Sequence, residues 1–138
     1  LYQLGIIDAL NWFFEDVETT HKIKCEVICN VNSINLSDVE SILLYRCIQE
    51  IVKNTLKYAK ASQITLDLKK DKLGVHIQFT DDGVGFDTSL LNNYKNHSGS
   101  GFGLFAVQER IKNIQGKFTI TSKINEGTSV YIFIPLSQ

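Results

Sequence analysis

The apolar positions in the first half of the chain predict two amphipathic helices with one strand between them. Over residues 1–16, apolar side chains recur every third or fourth position, as on one face of a helix, and residues 19–21 are expected to end it. Residues 23–29 alternate loosely and predict the first strand. Residues 37–40 form a capping-box pattern, so the apolar series that follows predicts a long helix reaching about Tyr58.

Period-two alternation in the middle of the chain predicts a strand hairpin. Apolar and polar residues alternate over residues 63–68 and 75–79, and the polar residues 69–72 lie between them. Residues 87–100 are rich in Asn, Ser and Gly, and they predict a long loop of the kind that tends to be functional.

The last third of the chain predicts one more helix and a closing hairpin. Residues 103–114 have a helical pattern that Gly116 ends, and residues 118–121 and 130–134 alternate up to Pro135. Strands and helices mix without the regular alternation of a doubly wound fold. The predicted class is therefore α+β: a two-layer sandwich of a mixed, mostly antiparallel sheet packed against helices on one face.

Length and charge restrict the classes of protein to which the chain can belong. Its 138 residues, 43% of them hydrophobic, suit one domain with a well-filled core. A net charge of -1 with scattered lysines offers no basic stripe, so nucleic acid is not expected as a partner. No apolar run approaches the roughly eighteen residues of a membrane span. Because the chain opens at Leu1 and contains no methionine, we expect a piece of a longer cytoplasmic protein, which other segments could anchor to a membrane.

The cysteines and histidines give little sign of a metal site. Cys25, Cys29 and Cys47 are odd in number and lack Cys-x-x-Cys spacing, so they are predicted to be buried thiols in a reducing compartment. The three histidines lie far apart in sequence, without ligand-like companions. No structural metal is therefore expected.

The first candidate site is one face of the long predicted helix. Three- and four-residue spacings place four side chains on adjacent rows of the helix surface. They are Glu50, Asn54, Lys57 and Tyr58. A carboxylate, an amide oxygen, a cation and an aromatic ring match what a magnesium nucleotide needs: a proton acceptor, a hard oxygen ligand, a phosphate counter-charge and a stacking partner.

Two glycine-rich segments indicate the same chemistry. Residues 81–85, Asp-Asp-Gly-Val-Gly, follow a predicted strand, and their glycines let a ligand approach the backbone where a Cβ would collide. Residues 99–103, Gly-Ser-Gly-Phe-Gly, precede a predicted helix, whose free amides and dipole favour phosphate. Each segment alone could be an ordinary turn or a flexible linker. Between them, residues 88–100 are predicted to form a nucleotide lid.

In order and separation, these segments resemble the boxes of the GHKL ATPases, and in particular of sensor histidine kinases, over residues 22–138. The helix face resembles the N box, residues 81–85 the first glycine box, residues 101–104 the second, and residues 127–128 the last. The resemblance implies an ATP-binding catalytic domain. Such a domain passes the γ-phosphate of ATP to a histidine on an upstream dimerisation domain absent from this chain, and the phosphoryl group moves on to a response-regulator aspartate.

The first segment is similar to the end of the second dimerisation helix in the nitrate-sensor and desaturase-sensor class of histidine kinases. Residues 1–12 carry that likeness, and the Arg-x-x-Gln-Glu run that ends at Glu50 points to the same class. The resemblance divides the chain into residues 1–20, the C-terminal end of the dimerisation helix, and residues 21–138, the catalytic domain. It implies a homodimer in the full-length protein and a monomer for this piece, and it excludes His21 as the phosphoacceptor.

The resemblance also implies roles for single residues. Glu50 would orient or deprotonate the attacking group, and Asn54 would bring its amide oxygen to Mg²⁺. Asp81 would accept the exocyclic amine of adenine, which selects ATP because guanine presents a carbonyl there. The other residues expected to bind ATP lie at the end of the N box, in the glycine boxes and on the closing strand. They are Lys57, Tyr58, Gly83, Gly85, Phe86, Gly99, Ser100, Gly101, Phe102, Gly103, Leu104 and Thr128.

The second glycine box is nearer the form of orthodox histidine kinases than that of the nitrate-sensor class, which leaves the subclass undecided.

Two other functions stay open. A GHKL serine kinase of the anti-sigma type is one alternative, although residues 1–12 resemble a dimerisation helix that such kinases lack. A nucleotide-binding interaction module without catalysis is the other. Loss of Glu50 or Asn54 would favour it, and both residues are present.

Overall fold

The fold is known from a computed structural model, which describes residues 5–30, 34, 36–84 and 100–135. The helices of this part are α1 (Gly5–His21), α2 (Asp38–Asn54) and α3 (Ser100–Asn113), and a π-helical turn, Thr55–Ala59, continues α2. The strands are β1 (Lys24–Cys29), β2 (Gln63–Lys70), β3 (Gly74–Asp81), β4 (Lys117–Lys123) and β5 (Gly127–Pro135). None of the helices described is long and apolar enough to cross a membrane.

All of these strands belong to one sheet, in the order β1-β2-β3-β5-β4. β1 pairs with β2 in parallel, and the other three neighbouring pairs are antiparallel. The two predicted hairpins, β2–β3 and β4–β5, are confirmed. The mixed, mostly antiparallel sheet with its helices confirms the predicted α+β class.

One face of the sheet is buried against the helices. Along β2, β3 and β5 every second side chain is buried, and Leu66, Phe79 and Val130 are neighbours across the ladders. These side chains share one apolar cluster with residues from all three helices, among them Phe14 of α1 and Ile48 of α2. The alternating side chains on the opposite face are more polar and more exposed. The helices therefore form the second layer, on one side of the sheet.

α1 runs further than the sequence pattern predicts. Thr19 and Thr20 lie within the helix, and the chain leaves it at Lys22, where φ is 61°. The Lys22 amide still donates to the carbonyl oxygen of Glu18 at 3.0 Å. Val17 is only 4% exposed in the core, and its burial outweighs the weak helix preference of threonine, which costs less than about 1 kcal/mol per residue.

The predicted capping box is present at the start of α2. Ser37 Oγ accepts from the Glu40 amide at 3.1 Å, and Glu40 Oε1 accepts from the Ser37 amide at 3.0 Å. Regular α-helical bonding stops at Asn54, not near Tyr58, and the π-helical turn then carries the chain to Lys60, where φ is 52°. Such turns frequently occur at functional sites.

α3 begins at Ser100, three residues earlier than predicted, so Gly101 and Gly103 lie in its first turns. A glycine disfavours a helix interior by only about 1 kcal/mol relative to alanine, and Val107, which is 4% exposed, packs α3 onto the core. The predicted loop and lid lie outside the described residues, except for Ser100 itself.

Candidate functional site

The centre of the candidate site is a buried carboxylate at the end of β3. Asp81 is 5% exposed. Its Oδ1 accepts from the amides of Gly83 at 2.9 Å and Thr128 at 3.2 Å, and its Oδ2 accepts from the Thr55 hydroxyl at 3.0 Å. A carboxylate has about four acceptor positions. Three are engaged within the described residues, which leaves room for one more donor.

Thr55 connects the helix layer to this carboxylate. It is the first residue of the π-helical turn, directly after Asn54, and it is 4% exposed. Thr55 was not among the site residues predicted from the sequence. Thr55 continues the buried row of Ile48 and Ile51 along α2, and a hydroxyl at such an apolar position needs a buried partner. A hydroxyl side chain in an otherwise apolar row is therefore the sequence signal from which Thr55 could have been predicted.

β5 reaches Asp81 through its backbone. The Thr128 amide donates to the carboxylate, whereas the Thr128 hydroxyl lies 2.8 Å from the Ser122 hydroxyl. Gly127 precedes it with a φ of 82°, and a Cβ there would lie 2.5 Å from the Asp81 carbonyl oxygen. Glycine is therefore required where the β4–β5 turn meets the end of β3.

The neighbouring carboxylate, Asp82, is exposed and has a different task. Its Oδ2 accepts from the Ser62 hydroxyl at 2.6 Å, and its Oδ1 accepts from the amides of Ser62 at 2.8 Å and Gln63 at 3.0 Å. The hydrogen bond from the Ser62 hydroxyl, together with those from the two amides, holds the pKa of Asp82 below its ordinary value of 3.8. Asp82 thus fastens the end of β3 to the start of β2.

The predicted residues of α2 lie on one side of the helix. Glu50 and Asn54 are half-buried, and Lys57 is exposed one turn further on. Asn54 Nδ2 donates to the Glu50 carbonyl oxygen at 2.9 Å, which orients the amide. Within the described residues, no hydrogen bond engages Asn54 Oδ1. A neutral oxygen is thus available to a hard cation such as Mg²⁺.

The structure brings part of the predicted site together. Asp81, Gly83 and Thr128 share one hydrogen-bonded cluster, and Thr55 links that cluster to Asn54. The first turns of α3 are formed by Ser100, Gly101, Phe102, Gly103 and Leu104. Outside the described residues lie Gly85, Phe86 and Gly99, together with the side chains of Tyr58, Ser100, Phe102 and Leu104.

Comparison with known proteins assigns the chain to a family. Residues 39–138 match the family described as histidine kinase-, DNA gyrase B-, and HSP90-like ATPases, and the chain belongs to that family. The chain is also 34% identical, over 140 aligned residues, to the signal transduction histidine-protein kinase/phosphatase DegS of Bacillus subtilis (strain 168). That alignment covers 99% of this chain and 36% of the relative, so the chain spans about a third of the relative's length.

A solved structure shares the fold. The histidine kinase domain of the Erythrobacter litoralis EL346 blue-light activated histidine kinase superposes with a TM-score of 0.71 over 97% of this chain and 62% of that chain, at 16% identity. The family match confirms the predicted ATPase family, and the relative is named as a histidine-protein kinase/phosphatase.

Proposed function

We propose that this domain binds Mg-ATP and passes the γ-phosphate to a histidine on a dimerisation domain that precedes it, for onward transfer to a response regulator. Family membership and the kinase/phosphatase relative support this activity. We also propose that residues 1–20 are the C-terminal end of the dimerisation helix, before a catalytic domain of residues 21–138. Leu10 and Phe14 of α1 pack in the common core, which would couple that helix to the catalytic domain.

The buried Asp81 carboxylate is the observation that carries the proposal. Three donors already fix both of its oxygens, so the carboxylate is held in place before any ligand arrives. Its remaining acceptor position suits the exocyclic amine of adenine, whereas the guanine carbonyl at the same place would leave two acceptors facing each other. Asp81 would therefore select ATP over GTP, beside Gly83, Gly85 and Phe86.

Asn54 and Glu50 would handle the phosphate end of the nucleotide. The orientation of the Asn54 amide and its available Oδ1 fit a magnesium ligand. Mg²⁺ would neutralise charge on the phosphate oxygens. Glu50, one turn earlier, would orient or deprotonate the attacking imidazole.

The start of α3 would bind the phosphates. The first amides of a helix have no intrahelical acceptor and lie at the positive end of its dipole, which favours anions. We assign this role to residues 99–104. Lys57 would add a positive charge near the phosphates, and Tyr58 an aromatic ring near the base. Thr128 would hold Asp81 in position through its amide.

Phosphoryl transfer with an Asn54→Ala variant tests the proposal. In the full-length protein, we expect transfer of radiolabel from γ-labelled ATP to fall by roughly 100-fold, because a magnesium ligand is lost. Asn113→Ala, an exposed residue at the end of α3, is the matched control and should keep the wild-type rate. Wild-type label transfer in the Asn54 variant, or stable label on His21, His76 or His97 of this chain, would overturn the assignment.

A further inference from the structure

A groove separates α2 from α3 on the side of the domain that carries Glu50. It encloses about 340 Å³. One wall is formed by residues spaced along two turns of α2, and the other by residues of α3. Its lining includes Arg46, Cys47, Glu50, Lys53, Val107 and Arg110.

The groove has cationic rims and an apolar floor. Arg46, Lys53 and Arg110 are all exposed, whereas Cys47 is 1% and Val107 4% exposed. Burial raises the pKa of the Cys47 thiol to about 12, and the Arg110 charge opposes part of that rise. The floor is therefore neutral, and the charge lies at the edges.

The three cations lack partners of opposite charge in the part of the chain that the structure describes. Among the described residues that line the groove, only Glu50 carries a carboxylate, and no ion pair with a described residue engages Arg46, Lys53 or Arg110. By contrast, Lys112 of α3, outside the groove, lies 3.7 Å from Glu109. Neighbouring like charges repel one another, and an anionic partner would relieve that repulsion.

The length of the groove favours a polypeptide over a nucleotide phosphate. Arg46 precedes the proposed magnesium ligand, Asn54, by eight residues, which is about 12 Å along a helix axis. The groove therefore extends away from Asn54, towards the start of α2. An amphipathic segment could place apolar side chains on Cys47 and Val107 and its carboxylates on the rims.

We propose that this groove docks an acidic, amphipathic segment of the domain that carries the phosphoacceptor histidine. The proposal rests on the function proposed above, because Glu50 belongs both to the groove wall and to the proposed transfer site. A segment held by the rims would lie directly beside Glu50. The cations would act as positioning residues that bring the acceptor to the nucleotide, and they would not bind the nucleotide themselves.

A charge-neutralised triple variant tests the docking. In the full-length protein, Arg46→Gln, Lys53→Gln and Arg110→Gln are combined. The matched control combines Lys24→Gln, Lys69→Gln and Lys117→Gln, three exposed lysines on the opposite face of the sheet, and removes the same charge. Phosphoryl transfer is measured against ionic strength at saturating ATP, and the dissociation constant of ATP is measured separately.

The expected pattern is a selective loss of transfer. Transfer should fall at least tenfold in the groove variant, its dependence on salt should flatten, and the dissociation constant of ATP should change less than twofold. The control should match the wild type in all three measurements. Transfer at the control rate would overturn the docking proposal. A tenfold loss of ATP affinity would overturn it as well, because the cations would then belong to the nucleotide site.

Two further measurements keep the outcomes separate. Should the triple variant unfold, Arg46→Gln and Arg110→Gln are tested singly, and each should slow transfer on its own while circular dichroism stays that of the wild type. Should the wild-type protein bind no ATP in the same titration, the function proposed above fails. That result is distinct from a loss of docking, which leaves ATP binding intact.

Discussion

Asp71 and Asp81 lie at opposite ends of β3 and share one local pattern of hydrogen bonds. The Oδ1 of each accepts, at 2.9 Å, from the amide two residues further along the chain, Leu73 or Gly83. Their surroundings differ. The Asp71 side chain is 54% exposed and its Oδ2 lies 2.8 Å from His76 Nε2, whereas Asp81 is 5% exposed and is bonded to Thr55 and to β5.

The same hydrogen-bonded turn can therefore contribute to stability or to binding, depending on whether its carboxylate is buried. At Asp71 the carboxylate closes a surface turn, and water can replace any lost partner at small cost. At Asp81 the carboxylate is enclosed, so the donors around it have no water to replace it as their hydrogen-bond acceptor. Only the second arrangement presents a fixed acceptor to a ligand, which is why we place base recognition at that end of β3.

The largest expected effect is on stability after removal of the buried carboxylate. Asp81→Ala leaves the Thr55 hydroxyl and the Thr128 amide without their acceptor, and we expect a loss of about 2 to 5 kcal/mol in the free energy of unfolding. Urea denaturation measures it. Asp71→Ala, which makes the same change at the exposed end of β3, should have a clearly smaller effect. Equal losses in the two variants would remove the distinction between them.

The close approach at Gly127 gives the next effect. Gly127→Ala places a Cβ 2.5 Å from the Asp81 carbonyl oxygen, at a φ of 82°, and should destabilise the domain by about 1 to 3 kcal/mol. Gly5→Ala is a matched control, because its φ is 80° and no atom of the described residues lies within 4 Å of the added carbon. Thermal unfolding should show a larger loss for Gly127→Ala. A loss no greater than that of Gly5→Ala would mean that the contact with Asp81 is not tight.

A smaller effect is expected at the exposed end of β3. Tyr131 Oη lies 2.7 Å from His76 Nδ1, and the two rings stack at 6.0 Å between centroids. Tyr131→Phe keeps the ring and removes the hydroxyl, so we expect a loss of about 0.5 to 1.5 kcal/mol by chemical denaturation. A loss larger than that of Asp81→Ala would mean that the exposed end of β3 contributes more to stability than the buried end.

The smallest effect is a pH dependence. The hydrogen bond from the Leu73 amide, together with those from the Gly74 amide and His76, holds the pKa of Asp71 below its ordinary value of 3.8. The stability that Asp71 contributes is therefore fully present above pH 3.8 and is lost as the pH falls through the lower folded-state pKa. Asp71→Asn should flatten the acid side of the stability profile, measured by denaturation from pH 6 down to 2. An unchanged profile would contradict this.

Most of the fold could be predicted from the sequence, because its periodicities are long and regular. The hairpins β2–β3 and β4–β5 and the capping box at Ser37 followed from local patterns. The end of α1 and the start of α3 did not follow from local patterns. They depend on the burial of Val17 and Val107 in the core, which helix propensity alone does not describe. The parallel pairing of β1 with β2 is likewise a tertiary feature, joining residues far apart in the chain.

For the candidate site, the sequence indicated residue types but few of their connections. Asp81 and Asn54 were predicted as site residues from their boxes. Thr55 was missed because its role appears only when α2 and β3 meet, and the Thr128 amide could not be preferred to its hydroxyl without the register of β5 against β3. The groove cations, such as Arg110, also come together only through the packing of α3 on α2.

The most direct test of base recognition by Asp81 is calorimetric titration of the wild type and of Asp81→Asn with ATP and with GTP, in the presence of Mg²⁺. The wild type should bind ATP at least roughly tenfold more tightly than GTP, and Asp81→Asn should weaken ATP binding by roughly tenfold or more, because a buried hydrogen bond to adenine is worth about 1 to 3 kcal/mol. Asp82→Asn, the exposed neighbour, should retain wild-type affinity. Equal binding of ATP and GTP by the wild type, or an undiminished preference for ATP in Asp81→Asn, would show that Asp81 does not select the base.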